Sequence, residues 1–323
     1  MKKYNMLATA VGAVVGYGII EALRLSGYGV NIIGCDIYPD AAGRFFADEF
    51  VAAEPAASAN YLHFLTNLID EKRIDMVFFG IEQEITAVSA NRSALSEYLG
   101  KLLIQDKRII DLCDDKWLTA RWLEEHGLEE YVIDSAIDGN FWDLQARLGK
   151  EFLIKPRVSR GAKGIVPVKD AFDFDYFKCK LGDNFMAQHI VGDDEHEYTA
   201  GVFGLGDGSF ANAIFLRRKL SQEGATAKAW VVEDPELLVA ARRITEALRP
   251  TGPTNYQFRK EGDGVFLLEI NPRISSSVSI RSKLGYNEVA MSIEFFLEGR
   301  IPAKAEIKQG YAVRYISDRM IVE

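Results

Sequence analysis

The stretch GVFLLEINPRISSS, residues 264–277, decides how the chain is read. It opens as an apolar run of the kind that forms a buried strand. It ends with Glu269, Asn271 and Arg273 at two-residue spacing and Pro272 among them. Side chains alternate across a strand, so Glu269 and Asn271 share a face. Upstream lies TNYQFRKEGDG, whose Gly262-Asp263-Gly264 centre reads as a hairpin turn. A three-residue turn there, or a five-residue loop on the same centre, sets Gln257 opposite Glu269 and Asn255 opposite Asn271. Gln257, Glu269 and Asn271 then bring three side-chain oxygens to one face. Carboxylate and amide oxygens suit Mg2+, a hard cation that shares its shell with phosphates and water. Pro272 ends the ladder, and Arg273 leaves beside the site with a fork suited to phosphate or carboxylate. A solvated strand end explains any one of these residues, but it is a poorer account of the aligned set.

Working outward, EYTAGVFGLGDGSFANAIFLRRK is a second hairpin about Gly206-Asp207-Gly208. Pairing about Asp207 sets Arg217 opposite Glu197. Arg217, Arg218 and Lys219 at the strand end hold a substrate anion or are simply solvated. Further back, LIKPRVSRGAKGIVPV carries Lys155 at the end of a strand, then a loop with Ser159, Arg160, Gly161, Lys163 and Gly164. Glycines let backbone N–H groups approach a phosphate and lysine supplies a point charge, although the P-loop pattern is absent.

The first ~110 residues alternate apolar strand runs with helical periodicity, from YNMLATAV through GIIEALRLSGY, VNIIGCDIY, YLHFLTNLIDEKR, IDMVFFGIE and TAVSANRSALSEYLG to KLLIQD. Such alternation predicts a parallel, doubly wound sheet. Glycines at 12, 16 and 18 follow the first strand and Asp36 ends the second, but the dinucleotide fingerprint is broken at Val14, so a strand-to-helix turn or another ligand is favoured over NAD. DLCDDKWLTARWLEEHG reads as one helix capped by Asp111 or Asp114. DPELLVAARRITEALR and EVAMSIEFFLEG are later helices. The fold class is α/β, turning to α+β in the C-terminal part, with three lobes at 1–110, 111–191 and 192–323.

The 323 residues are 48% hydrophobic with a net charge of -9, a globular composition that disfavours nucleic-acid binding. Three cysteines without a C-x-x-C pair fit a reducing, cytoplasmic setting. The four histidines form no zinc motif. The apolar segment before Ala8-Thr9-Ala10 is too short for a signal peptide, and no apolar run reaches the ~20 residues that span a bilayer.

Taken together, CDDKW, FLIKP, EYT, NYQF and LLEINPR, in that order, resemble the ATP-grasp superfamily, most closely its carbamoyl-phosphate-synthetase-like branch. GYGIIEAL and GCDIYPDAAGRFFADEF resemble that branch's Rossmann-like pre-ATP-grasp domain. The resemblance implies an ADP-forming carboxylate-amine ligase that uses ATP with Mg2+ (Mn2+ as an alternative), small-molecule carboxylate and amine substrates, and an acyl phosphate intermediate. A homodimer is a fair expectation. It implies that Lys116 and Lys155 contact phosphates and that the loop from Ser159 to Gly164 covers them. Gln188, His189, Ile190 and Val191 would border the adenine, and Glu197, with Glu195 as competitor, would meet the ribose. Gln257, Glu269 and Asn271 would hold the metal, and Arg273 would lie near the transferred phosphoryl group, with Lys155 the second catalytic cation. Arg217, Lys219 and Ser276 are substrate candidates. Ser276 stands where carbamoyl phosphate synthetase has an arginine, which weakens a bicarbonate-activating role. A nucleotide-binding protein without turnover is the reading from another class.

Overall fold

Three sheets, one parallel and two antiparallel, organise the computed structural model, which describes residues 3–159, 164–221, 224–315, 317, 318 and 320. The parallel sheet holds β1 (Lys3–Ala8), β2 (Gly29–Asp36), β3 (Glu49–Ala52) and β4 (Met76–Phe78) in the order β3-β2-β1-β4. Helix α1 (Val14–Arg24) covers one face through Ile19, Ile20 and Leu23; α2 (Tyr61–Glu71) and α3 (Glu82–Ala90) cover the other through Leu65, Ile69, Ile85 and Val88. Two covered faces explain why these strands read as unbroken apolar runs.

The opening glycines serve packing. A side chain at Gly16 would lie 2.2 Å from the Ala10 carbonyl oxygen and 2.4 Å from that of Thr9. Asp36 accepts from the Gly12 N–H at 2.7 Å and the Tyr38 N–H at 3.0 Å, so it ties down its own turn. The helix expected from Thr86 starts four residues earlier, at Glu82, and ends where the Asn91 amide donates to the Ala87 carbonyl. KLLIQD contributes only a single bridge, Leu102 to Val77.

The single helix expected over DLCDDKWLTARWLEEHG is two, α4 (Lys107–Asp114) and α5 (Lys116–Glu125). Asp115 breaks the run with extended dihedrals (φ -107, ψ 113), and its carboxylate accepts from the N–H groups of Trp117 at 2.8 Å and Leu118 at 3.2 Å. The cap is thus Asp115, not Asp111 or Asp114, because only there does the backbone leave the helix.

The second sheet joins β5 (Ser135–Ala136), β6 (Phe152–Pro156), β7 (Val166–Val168) and β8 (Phe185–His189) in the order β5-β8-β6-β7. Helices α6 (Phe141–Leu148) and α7 (Ala171–Leu181), neither anticipated, close it over Phe141, Phe152, Phe174 and Phe185. The third sheet runs β13-β12-β9-β10-β11-β14, from β9 (Glu197–Leu205), β10 (Phe210–Leu220), β11 (Thr226–Val231), β12 (Thr251–Glu261), β13 (Gly264–Asn271) and β14 (Tyr311–Val313). Helix α8 (Pro235–Leu248) seals one face against Tyr256 and Phe258. Helices α9 (Val278–Lys283) and α10 (Glu288–Ser292) return to the first sheet, where Val278 and Val289 join the core under α1.

Candidate active site

The polar end of β13 is made by a bulge. Glu261 pairs with Gly264 across a two-residue turn, not the three- or five-residue loop expected, and the register runs regularly to Phe258 opposite Leu267. Leu268 is then extra, after which Gln257 faces Glu269 and Asn255 faces Asn271. A turn one residue shorter and a one-residue bulge cancel, so the expected pairs stand. The bulge also chooses the face. Val265, Leu267 and Ile270 are buried, whereas strict alternation from Leu267 would drive Glu269 into the same core.

A bulge in β10 has the opposite effect on expectation. The register slips between Phe210 and Asn212, so Arg217 faces Tyr198 and lies over the Trp230 ring at 5.0 Å. The expected Arg217–Glu197 pairing is thereby replaced: Arg218 reaches Glu197 and shares the face of Gln257. Lys219 is exposed and ion-paired with Glu195.

Glu197 is 5% exposed and clamped by two arginines. Oε1 accepts from Arg218 Nη2 at 2.8 Å and Nε at 3.1 Å; Oε2 accepts from Arg259 Nη2 at 3.0 Å and Nε at 3.2 Å. A carboxylate has about four lone-pair positions, and all are used. From this hub a chain of bonds crosses the sheet. Arg218 Nη2 donates to Gln257 Oε1 at 2.5 Å and Gln257 Nε2 to Glu269 Oε1 at 2.5 Å. Asn271 Nδ2 donates to the same Glu269 oxygen at 2.9 Å, and Arg273 Nη2 to Asn271 Oδ1 at 3.2 Å. Arg273 Nε then donates to Glu82 at the start of α3, at 3.0 Å.

Opposite this sheet, β6 delivers Lys155, which is 4% exposed. Its Nζ donates to Gln188 Oε1 at 2.6 Å, and Gln188 Nε2 donates to Ser135 Oγ at 2.9 Å. Burial, and next the repulsion of Lys116, push the Lys155 ammonium down to about 7; Glu269 acts the other way. The neutral Gln188 amide supplies an acceptor without a charge to hold the proton. Lys116, first residue of α5, donates to the carbonyl and hydroxyl of Ser159 at 3.2 Å each. Gly164 is in the left-handed region (φ 79); Arg160, Gly161 and Lys163 lie outside the described residues.

His189 Nδ1 donates to the Leu148 carbonyl, tying β8 to the end of α6. Ile190 is half-buried beyond the strand, and Glu195 is exposed. Ser276 accepts at its carbonyl from Arg314 Nη2 at 2.7 Å. Lys116, Ser159, Glu269, Asn271, Arg273 and Glu82 line one cleft with ≈ 500 Å³ of open space, walled by Ile85, Ile110 and Cys113. Lys155 is buried and is not among the residues that line it. The sequence reading missed Arg259, took Arg218 only for a substrate-anion or solvated residue, and did not single out Glu82. The β10 bulge is what sets Arg218, not Arg217, against Glu197, and Glu82 sits in the GIEQE stretch, which carries no spacing signal of its own.

The oxygen set fits a hard cation in kind: one carboxylate and two amides on one face. Among the described residues no group of three or more His, Cys, Asp or Glu side chains could hold a metal. A cation here would need phosphate oxygens to complete its shell. No helix among the described residues is long and apolar enough to cross a membrane.

No curated protein sequence matches the chain. Solved structures share its fold. N5-carboxyaminoimidazole synthetase from Staphylococcus aureus superposes with a TM-score of 0.71 at 17% identity, over 94% of this chain and 79% of that one. L-amino acid ligase from Bacillus licheniformis gives 0.68 at 16%, over 92% and 74%. The biotin carboxylase domain of Hydrogenobacter thermophilus 2-oxoglutarate carboxylase, solved as a dimer with MgADP, ADP and bicarbonate, gives 0.72 at 14%, over 95% and 73%. Residues 189–319 match the family model described as ATP-grasp in the biosynthetic pathway with Ter operon. That match is to an ATP-grasp family over residues 189–319, and the fold of the solved structures is shared nearly end to end.

Proposed function

We propose that the protein is an ADP-forming carbon–nitrogen ligase that activates a carboxylate with ATP and joins it to an amine. The observation that carries this reading is the single cleft where Lys116, Ser159, Glu269, Asn271 and Arg273 meet. Lys116, from the start of α5, and Arg273 are cations suited to phosphates, and Glu269 and Asn271 of β13 are oxygens suited to a divalent ion. The lobes assigned to the work are 1–110, 111–191 and 192–323.

Phosphoryl transfer asks a protein mainly for positioning and charge neutralisation. Lys116 and Lys155 offer point charges from one side, and Arg273 offers a planar fork from the other. Glu269 and Asn271, with Gln257 on the same face, are the residues that would hold Mg2+, which when bound supplies charge compensation to phosphate oxygens. Water has to be kept from this cleft, because it would hydrolyse an acyl phosphate. Gln188, His189 and Ile190 border the base. With every lone pair of Glu197 engaged, Glu195 is the better partner for the ribose. Arg217, turned to the far side of the sheet, is no longer a substrate candidate; Lys219 and Ser276 stay as weaker ones. A cytoplasmic homodimer is the expected form, which sedimentation in the presence of MgATP tests.

Activation of bicarbonate is the second reading, favoured by the bicarbonate bound in the carboxylase relative. Incubation with MgATP and pooled carboxylates and amines separates the two. ADP release that needs both a carboxylate and an amine supports the first, and release driven by bicarbonate supports the second. Tight ATP binding with no ADP release from any pool overturns both.

A further inference from the structure

Glu269 lies between two amides, and both are turned the same way. Gln257 and Asn271 each direct their NH2 at Glu269 Oε1, and each has its oxygen held by an arginine, Arg218 or Arg273. Donors and acceptors alone dictate this orientation. Turned over, either amide would set NH2 against a guanidinium, which cannot accept, and oxygen against a carboxylate, which cannot donate.

The two arms differ in how firmly they are held. Arg273 is 21% exposed and opens on the cleft, and the nitrogen that meets Asn271, at 3.2 Å, is shared with Glu82, so an incoming anion can displace Asn271 while the Glu82 pair stays. Arg218 is 5% exposed and bound through two nitrogens to the equally buried Glu197. A buried pair of this kind is costly to break, so the Arg218 arm stays closed. The oxygen of Gln257 is then committed to a cation already present, and its NH2 occupies a lone pair that Glu269 would give to a metal.

We infer that Arg218 is a positioning residue that keeps Gln257 out of the coordination shell and, through it, keeps divalent-cation affinity low until nucleotide is bound. The inference deepens the proposed function and rests on its placement of the cation at Glu269. It replaces Gln257 as a ligand by Gln257 as a hydrogen-bond donor to the ligand. The protein's share of the shell becomes Glu269 and Asn271, and the remainder falls to phosphate and water oxygens.

The test is Mn2+ binding, followed by electron paramagnetic resonance of the free ion, to the nucleotide-free full chain. Gln257→Met removes the donor and the bridge at a part-exposed position. Arg218→Lys keeps a charge beside Glu197 but loses the fork that reaches Gln257. The expected result is that both variants bind Mn2+ at least about threefold tighter than the wild type. Unchanged or weaker binding by Gln257→Met overturns the inference, since a coordinating amide would be missed. Thermal melts check each fold, and Gln257→Met decides alone if Arg218→Lys does not fold. Absence of Mn2+ binding in all three proteins, with ATP present as well, overturns the inference and the cation's placement together. ADP release by the wild type reports separately on the ligase reading.

Discussion

Arg273, at the end of the polar strand, donates to Glu82, at the start of α3, across a sequence separation of 191 residues. The contact couples the parallel sheet's helix layer to the strand that carries Glu269 and Asn271. Both side chains are mostly covered, at 21% and 24% exposure, so the pair exceeds an ordinary surface ion pair. In a double-mutant cycle with Glu82→Gln and Arg273→Met, the coupling in chemical denaturation should be about 0.5–2 kcal/mol. A coupling near zero would leave the contact without a role in holding the two regions together.

Glu269→Ala should lower Mg2+-dependent ADP release by at least about 100-fold. The side chain is only partly buried and ends a strand whose core contacts are Val265, Leu267 and Ile270, so the melting temperature should hardly move. Near-normal turnover in this variant would remove Glu269 from the site.

Lys155 predicts a proton linkage. Its ammonium, depressed to about 7, is mostly neutral at pH 8, and a bound polyphosphate favours the charged form. Nucleotide binding at pH 8 should take up close to one proton, and at pH 6, where Lys155 is already charged, close to none from this group. Calorimetry in buffers of different ionisation enthalpy reads the number directly. Equal uptake at the two pH values would rule Lys155 out as the source.

Glu84 is 4% exposed at the end of the parallel sheet, where the Thr9 hydroxyl donates to it, and burial pushes its carboxyl up to about 7. The folded chain therefore holds this proton between the unfolded value of about 4.5 and about 7, and the stability contributed by the neutral acid is lost as pH rises through that window. Glu84→Gln should be nearly neutral at pH 4.5 and should stabilise at pH 8 by on the order of 2 kcal/mol, seen by urea denaturation. A gain of equal size at both pH values would mean that packing, not charge, limits the wild type.

Asp115 caps α5 and also accepts from Arg157 Nη2 at 2.6 Å, fastening α5 to the end of β6. Asp115→Ala should cost about 1–2 kcal/mol of stability from the cap. It should also raise the KM for ATP more than it lowers kcat, because Lys116 follows the cap directly. Asp115→Asn, which can still accept from Trp117, should recover most of the stability. Asparagine and alanine variants of equal stability would contradict the capping role.

Much of the site was legible because its residues obey short-range rules. Alternation placed Glu269 and Asn271 together, and apolar runs with punctuating glycines gave the parallel strands. What escaped notice depends on register. One extra residue in β10 exchanged Arg217 for Arg218, and no local pattern announces a bulge, because the slip is chosen by which side chains the opposite strand and α8 can bury. In β13 the same kind of slip left the expected pairs intact, since the shorter turn offset it. Helices α6 and α7 were missed because their apolar residues do not mark one face: Trp142, Phe172 and Tyr176 are exposed, and Phe141 and Phe174 gain a core only when the sheet beneath them forms. Asp115 was passed over because three acids within DLCDD could each cap a helix, and the pairing of Asp115 with Arg157, 42 residues on, has no local signal.

Val278 and Val289, from the last third of the chain, complete the core beneath α1, near its beginning. The core beside the first sheet is therefore completed only after residue 289 has been made. A ribosome releasing residues 1–110 delivers a sheet covered on both faces but an α1 whose outer apolar partners are still to come, more than 150 residues later. The active strand β13 leads directly into the segment that ends this wait, so the maturation of the first lobe and the assembly of the cleft are one event.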